Sequence, residues 1–185
     1  MNSDDPRAQR TRTRLRAAIL HLTTHHDPAT LTMAAVARQA EINRATVYQH
    51  YPDLDTLLTD AMEEAVTRLA HAAALCPLDA PRDQTPPPLQ ELFDHVAANA
   101  ALYQRMLGPQ GSPRLITRLR TCLTDALTTR FTQGHRPPCH PHVPADTHAA
   151  YLAGALTGVI THWLTHTPTQ PPHTVALAFW HLFRP

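Results

Sequence analysis

The stretch Thr32 to Leu58, TMAAVARQAEINRATVYQHYPDLDTLL, decides the fold. Thr32 is a favourable N-cap, and Leu31 before it pairs with Val36 at the fourth helical position as a hydrophobic staple. Met33, Val36, Ala37 and Ala40 follow at i, i+3, i+4 and i+7, which gives a short helix one apolar face. Glu41-Ile42-Asn43 makes a turn, and Asn43 caps a second short helix. In that helix Val47 and Tyr51 share one face while Arg44 and Tyr48 share another. A helix so short, with half a face to bury, is unstable alone. Its purpose is to present the other face. Two such helices joined by a tight turn form a helix-turn-helix, whose second helix enters the DNA major groove. A third, longer helix begins after Pro52.

Ala40 through Tyr51, followed by Pro52 and the Asp53–Leu58 helix start, resembles the signature of TetR-family transcription regulators. That signature runs alanine, glycine, apolar, serine, two variable residues, threonine, apolar, tyrosine, variable, histidine, aromatic. Ala40, Ile42, Thr46, Val47, Tyr48, His50 and Tyr51 match it. Glu41 stands where the family usually has the turn glycine, so it must accept whatever backbone the turn demands, the left-handed region included. The lysine that the family often places just after the proline, at a DNA phosphate, is here Leu54 or its neighbour Asp55. The resemblance implies an all-α chain with a three-helix DNA-binding domain over residues 1–52 and a helical effector-binding and dimerisation bundle over residues 53–185.

It also implies the partners. These are double-stranded operator DNA, a second copy of the chain and a small apolar or aromatic effector, with no cofactor and no catalytic site. The expected reading surface is Arg44, Ala45, Tyr48 and Gln49, with Thr32, Thr46 and His50 at phosphates. Arginine carries the donors that suit guanine, and glutamine the donor and acceptor that suit adenine. In the family pattern Tyr48 meets a phosphate through its hydroxyl. Ligand-released repression follows if effector binding tilts the helix after Asp53 and changes the spacing of two recognition helices. The alternative is a helical small-molecule-binding protein or enzyme that keeps a degenerate helix-turn-helix, which Glu41 and the absent lysine favour.

Composition agrees with a DNA-binding head on a different body. Net charge is +1. Residues 1–50 hold seven arginines against four acids, a balance of +3, and residues 51–185 hold nine against eleven, a balance of −2. All sixteen basic residues are arginine. Arg7, Arg10, Arg12, Arg14 and Arg16 precede the first helix or lie in its opening turns, as a basic arm able to neutralise phosphates. No apolar run follows Asn2-Ser3-Asp4-Asp5, so no secretory leader is expected. The longest apolar stretch, roughly residues 149–164, is broken by Thr157, Thr161 and His162, too short and polar for a bilayer. Cys76, Cys122 and Cys139 are odd in number and far apart, which suits a reducing cytoplasm.

Helical periods recur along the rest of the chain, and eight helices are expected. Leu15, Ala18, Ile19 and Leu22 mark the first; a sustained stripe from Leu54 to Ala73 marks a long connector. Five prolines between Pro77 and Pro88 make a stiff loop. Leu89 to Ala100 begins the next helix, stopped by Gly108-Pro109, and Ser112-Pro113 caps and opens another. Helices over residues 146–166 and 172–183 close the chain. Ala150, Gly154 and Gly158 lie four apart, a flat stripe on which another helix can approach closely; with Phe179 they are the expected dimer interface. Met62, Phe93, Tyr103, Leu119 and Trp163 are the expected effector lining, on the family's precedent of a cavity in the bundle. His135, Cys139, His140 and His142 cluster within a proline-rich linker, match no structural zinc spacing and are not expected to hold a metal.

Overall fold

Capping chemistry starts the helices where the sequence places them. The computed structural model describes residues 5–77, 80–136 and 142–183. Among them every regular element is helical: α1 (Pro6–His25), a 3₁₀ turn (Pro28–Thr30), α2 (Met33–Ala40), α3 (Arg44–His50), α4 (Leu54–Ala61), α5 (Glu63–Leu75), α6 (Pro87–Ala98), α7 (Ala100–Leu107), α8 (Pro113–Thr132), α9 (Ala145–His166) and α10 (Pro172–Phe183). The fold is all-α, with ten α-helices where eight were expected. The two extra ones arise from single-residue breaks. Met62, at φ −91° and ψ −3°, separates α4 from α5, and Asn99, at φ −120° and ψ 27°, separates α6 from α7.

Backbone contacts divide the chain into two compact units. The first comprises the residues up to Glu64 together with Arg105–Ile116; the second comprises Ala65–Gln104 and the remainder from Thr117. The division falls within α5 and not after residue 52, because α4 packs against α1.

In the first unit α1 packs on α2 and α4, and α2 on α3. Leu15, Ile19, Val36, Val47 and Leu57 are fully buried at the centre. A side chain caps every helix start from α1 to α4. Asp5 accepts from Arg7 N at 2.9 Å, Asp27 from Ala29 N at 3.0 Å and Thr32 from Ala35 N at 3.2 Å. Asn43 accepts from Ala45 N at 2.9 Å and Asp53 from Thr56 N at 2.7 Å. Bonds from Thr56 hold the Asp53 carboxyl below the usual carboxylate range.

The 105–116 segment joins this unit through polar bonds distant in sequence. Arg105 donates to Thr23 O at 2.7 Å, at the end of α1. The Ser112 hydroxyl donates to Asp55 and accepts from Leu115 N at 3.0 Å, which caps α8. Arg114 lies 3.5 Å from Asp55 and 3.7 Å from Asp53, and donates to the Thr56 hydroxyl. The turn before Ser112 admits only glycine, since a Cβ on Gly111 would sit 2.0 Å from Met106 O.

The second unit is held by apolar packing. Leu89, Leu92, Phe93 and Val96 form the buried face of α6, and α10 packs on α6 and α9. Phe93, with no exposed surface, meets Trp163 at 5.8 Å and Phe179 at 6.4 Å between ring centroids. Trp163 donates to Gln170 O at 3.0 Å and Trp180 to Pro81 O at 2.9 Å, so the buried indoles keep partners. Helices α6 and α9 start behind Pro86 and Pro144 with no side-chain cap. Among the described residues no helix is long and apolar enough to cross a membrane.

Candidate nucleic-acid interface

The turn between α2 and α3 sets the geometry of the reading surface. Glu41 has φ 53° and ψ 45°, the left-handed conformation, and no other described non-glycine residue has a positive φ. Ile42 N donates to Ala37 O at 2.9 Å and Glu41 N to Arg38 O at 3.1 Å, closing α2 in the way glycine normally does. A glutamate there costs about 1–2 kcal/mol against glycine. Its carboxylate meets Arg14 of α1 at 3.2 Å, with both side chains largely in solvent, a pair worth at most about 1 kcal/mol. The turn is therefore kept despite the substitution.

Helix α3 buries Val47 and presents the opposite side. Arg44, Ala45, Tyr48 and Gln49 are exposed, Thr46 and His50 are half-buried, and Thr32 is exposed at the start of α2. The structure thus brings the seven expected DNA residues to the surface of the helix-turn-helix. The Arg44 guanidinium lies 5.6 Å from the Tyr48 ring centroid and 3.5 Å from its hydroxyl, so the two side chains form one outward row. Burial and, second, the charge of Arg12 lower the His50 pKa, so at neutral pH its ring is a hydrogen-bonding group without charge. Behind the row, the buried Tyr51 donates to Asp60, which also pairs with Arg16 at 3.4 Å. Burial and the Asp60 bond push the Tyr51 phenol above its ordinary range, which leaves it a permanent donor that ties the end of α3 to α4.

The basic segment takes the second of its two expected placements, on the first helix. Asp5 caps a helix that already starts at Pro6, so Arg7, Arg10, Arg12, Arg14 and Arg16 lie on α1. Arg14 and Arg16 are engaged by Glu41 and Asp60. Near the site of the absent lysine stands Asp55, which holds Ser112 and Arg114. Ser112, Arg114 and Arg105 were not foreseen as part of the DNA-binding unit; only the Ser112-Pro113 cap was legible.

In the second unit a cavity of about 40 Å³ opens among α5, α6, α8, α9 and α10, with Cys76, Leu89, Leu127, Leu156 and Phe179 on its wall. Burial pushes the Cys76 thiol up to about 12. The expected lining residues Phe93, Tyr103, Leu119 and Trp163 are buried in this unit and Met62 in the first, and none of the five borders the cavity. Phe93 stands one layer behind, against Phe179. The Tyr103 hydroxyl is 3.1 Å from His95 Nε2, and burial pushes that phenol up to about 12. Of the expected dimer residues, Ala150 and Gly158 are exposed and Gly154 is half-buried. A Cβ at either glycine would meet nothing within 4 Å. Phe179 turns inward instead. His135 and His142 are exposed, while Cys139 and His140 lie outside the described residues. Among the described residues no group of three or more His, Cys, Asp or Glu side chains is arranged for a metal ion.

A short exposed helix held by a left-handed turn against two supporting helices defines a helix-turn-helix DNA-binding protein. Residues 15–61 match the family model for bacterial regulatory proteins of the tetR family, and residues 83–184 match a transcriptional regulator C-terminal region. The chain belongs to the TetR family and is a DNA-binding transcriptional regulator. No protein of curated function matches it by sequence. Solved structures share the fold. A TetR transcriptional regulator from Streptococcus agalactiae 2603V is 18% identical, with 94% of this chain and 93% of that one covered and a TM-score of 0.66. FadR from Thermus thermophilus, a transcriptional repressor in complex with lauroyl-CoA, is 17% identical, with 92% of each chain covered and a TM-score of 0.64. The fatty acid degradation regulator FadR from Bacillus halodurans is 14% identical, with 98% and 96% covered and a TM-score of 0.67.

Proposed function

We propose that this regulator is a cytoplasmic homodimeric repressor that a small apolar or aromatic effector releases from its operator. The observation that carries the reading is the outward row of α3 behind a turn that keeps its left-handed geometry without glycine. Arg44 and Gln49 read base edges, and Tyr48 with Thr32, Thr46 and His50 meets phosphates and sugar. One such row makes too few base contacts for regulation, and two-fold readers space their recognition helices about 34–36 Å apart. The Ala150-Gly154-Gly158 row of α9, exposed at Ala150 and Gly158, is the surface on which a second copy supplies the other half-site.

The effector belongs to the second unit. A cavity of about 40 Å³ is far below the roughly 300–1,000 Å³ of a drug-sized site. A larger effector is accommodated by selecting an expanded form of this unit, in which the wall at Phe179 and the Phe93–Trp163 layer behind it move apart. The lauroyl chain of the lauroyl-CoA bound by T. thermophilus FadR supports an apolar group in the ligand for this fold. Expansion tilts α4 and changes the half-site spacing, so effector and operator compete. The test is a gel shift with DNA flanking the chain's own gene. Arg44→Ala should cost about 1–3 kcal/mol of operator affinity and relax sequence preference. Unchanged affinity and preference in a folded Arg44→Ala protein moves the reading surface elsewhere.

A further inference from the structure

The described residues carry two His-x-x-x-His pairs on helices, His21–His25 on α1 and His162–His166 at the end of α9. Side chains four apart on a helix are neighbours on one face. All four side chains are exposed, and the two pairs differ in how their rings meet. The His21 and His25 rings meet edge to face at 62° with centroids 5.2 Å apart. Those of His162 and His166 stack at 16° with centroids 4.6 Å apart, and both side chains are exposed.

Hydrogen bonds also choose a tautomer at His166. The Thr165 hydroxyl spends its one proton on Thr161 O at 2.7 Å. Its oxygen lies 2.7 Å from His166 Nδ1 and, with that proton committed, accepts from it. His162 O, a second acceptor, is 3.3 Å from the same nitrogen. The proton therefore sits on Nδ1, and Nε2 keeps its lone pair toward solvent. A ring whose other nitrogen donates to a fixed oxygen is how metal-binding histidines are oriented and made more basic. The pair also lies at the C-terminal end of α9, where the helix dipole favours a cation.

We propose that His162 and His166 chelate one divalent transition ion of the imidazole-preferring class (Cu²⁺, Ni²⁺ or Zn²⁺) through their Nε2 atoms, with water in the remaining positions. Two protein ligands give a modest, exchangeable site, and Cu²⁺ is held tightest of the three. Thr165 is its positioning residue. Both ligands come from one chain.

Calorimetric titration of the full chain with Cu²⁺ tests it, with electron paramagnetic resonance reporting equatorial nitrogen ligands. His162→Gln and His166→Gln should each remove one bound ion per chain while the helical signal in circular dichroism stays intact. His21→Gln should leave that ion in place. Thr165→Val should weaken it about 10–100-fold, the usual effect of losing such a supporting bond. Equal stoichiometry and affinity in wild type and in the His162→Gln, His166→Gln double variant would overturn the site. Wild-type affinity in Thr165→Val would overturn the positioning role of Thr165.

Discussion

The two units are specified by different physics. In the first, side-chain caps from Asp5, Asp27, Thr32, Asn43 and Asp53 start every helix from α1 to α4. In the second, α6 and α9 begin behind prolines whose side chains cap nothing, and their position comes from burial of Phe93, Trp163 and Trp180. Capping is a local code, in which one residue fixes where a short helix begins. Burial is a collective one, which fixes how long helices pack and leaves their ends loosely specified. A recognition helix of seven residues must be held in register against DNA, so local specification suits it. A body that admits a ligand needs a core that can repack.

Core substitution should give the largest effect and tests the collective half of this contrast. Phe93→Ala removes a ring in contact with Trp163 and Phe179 and should destabilise by about 3–5 kcal/mol in urea unfolding. A loss below about 1 kcal/mol would mean that the second unit already collapses around the site. Cap removal is next. Asn43→Ala should cost about 1 kcal/mol of stability and weaken operator binding, because α3 loses the bond that sets its start. Stability lost with operator affinity unchanged would separate the cap from reading.

Glu41→Gly acts in the opposite direction and more weakly. Relief of the left-handed backbone, about 1–2 kcal/mol, is offset by loss of the exposed Arg14 pair, at most about 1 kcal/mol. A net gain of about 0–2 kcal/mol is expected in thermal unfolding, and destabilisation would show that the ion pair carries more than its exposure suggests.

Histidine titration should be smallest. Burial first, then Arg68, lowers the His95 pKa from 6.5 in the second unit. Folding therefore favours the neutral ring, and the folded state binds fewer protons. The contribution is complete above 6.5 and is lost as pH falls below that value through the folded one. His95→Gln should flatten the acid side of a stability–pH curve below 6.5. His50 behaves alike in the first unit, with Arg12 as its second cause, so the double variant should flatten it further.

The same contrast explains what could be read from the residues alone. The helix-turn-helix, its caps and the left-handed turn at Glu41 were legible because they are local. The start of α1 is less legible: the apolar period begins only at Leu15, and the arginines before it mask a helix that Asp5 caps. The breaks at Met62 and Asn99 left no trace, since a one-residue departure does not interrupt an apolar stripe. Arg105 and Arg114 act across 82 and 58 positions of sequence, and no local pattern announces that. Phe179 and the cavity it borders depend on which way a helix turns, which periodicity narrows to a face and packing decides.

The Arg105–Ile116 segment has a consequence for how such proteins diversify. By sequence alone a head ending near residue 61 and a body starting near residue 83 look exchangeable at the loop between them. A graft made there would leave behind Thr23's partner Arg105, the Ser112 hydroxyl bonded to Asp55 and the Arg114 guanidinium paired with Asp55 and Asp53. The transplanted head would arrive with two carboxylates that have lost their arginine partner beside its recognition helix and an open carbonyl at the end of α1. A new DNA specificity therefore reaches this body through point changes in α3, while a new body must be inherited together with a compatible 105–116 segment.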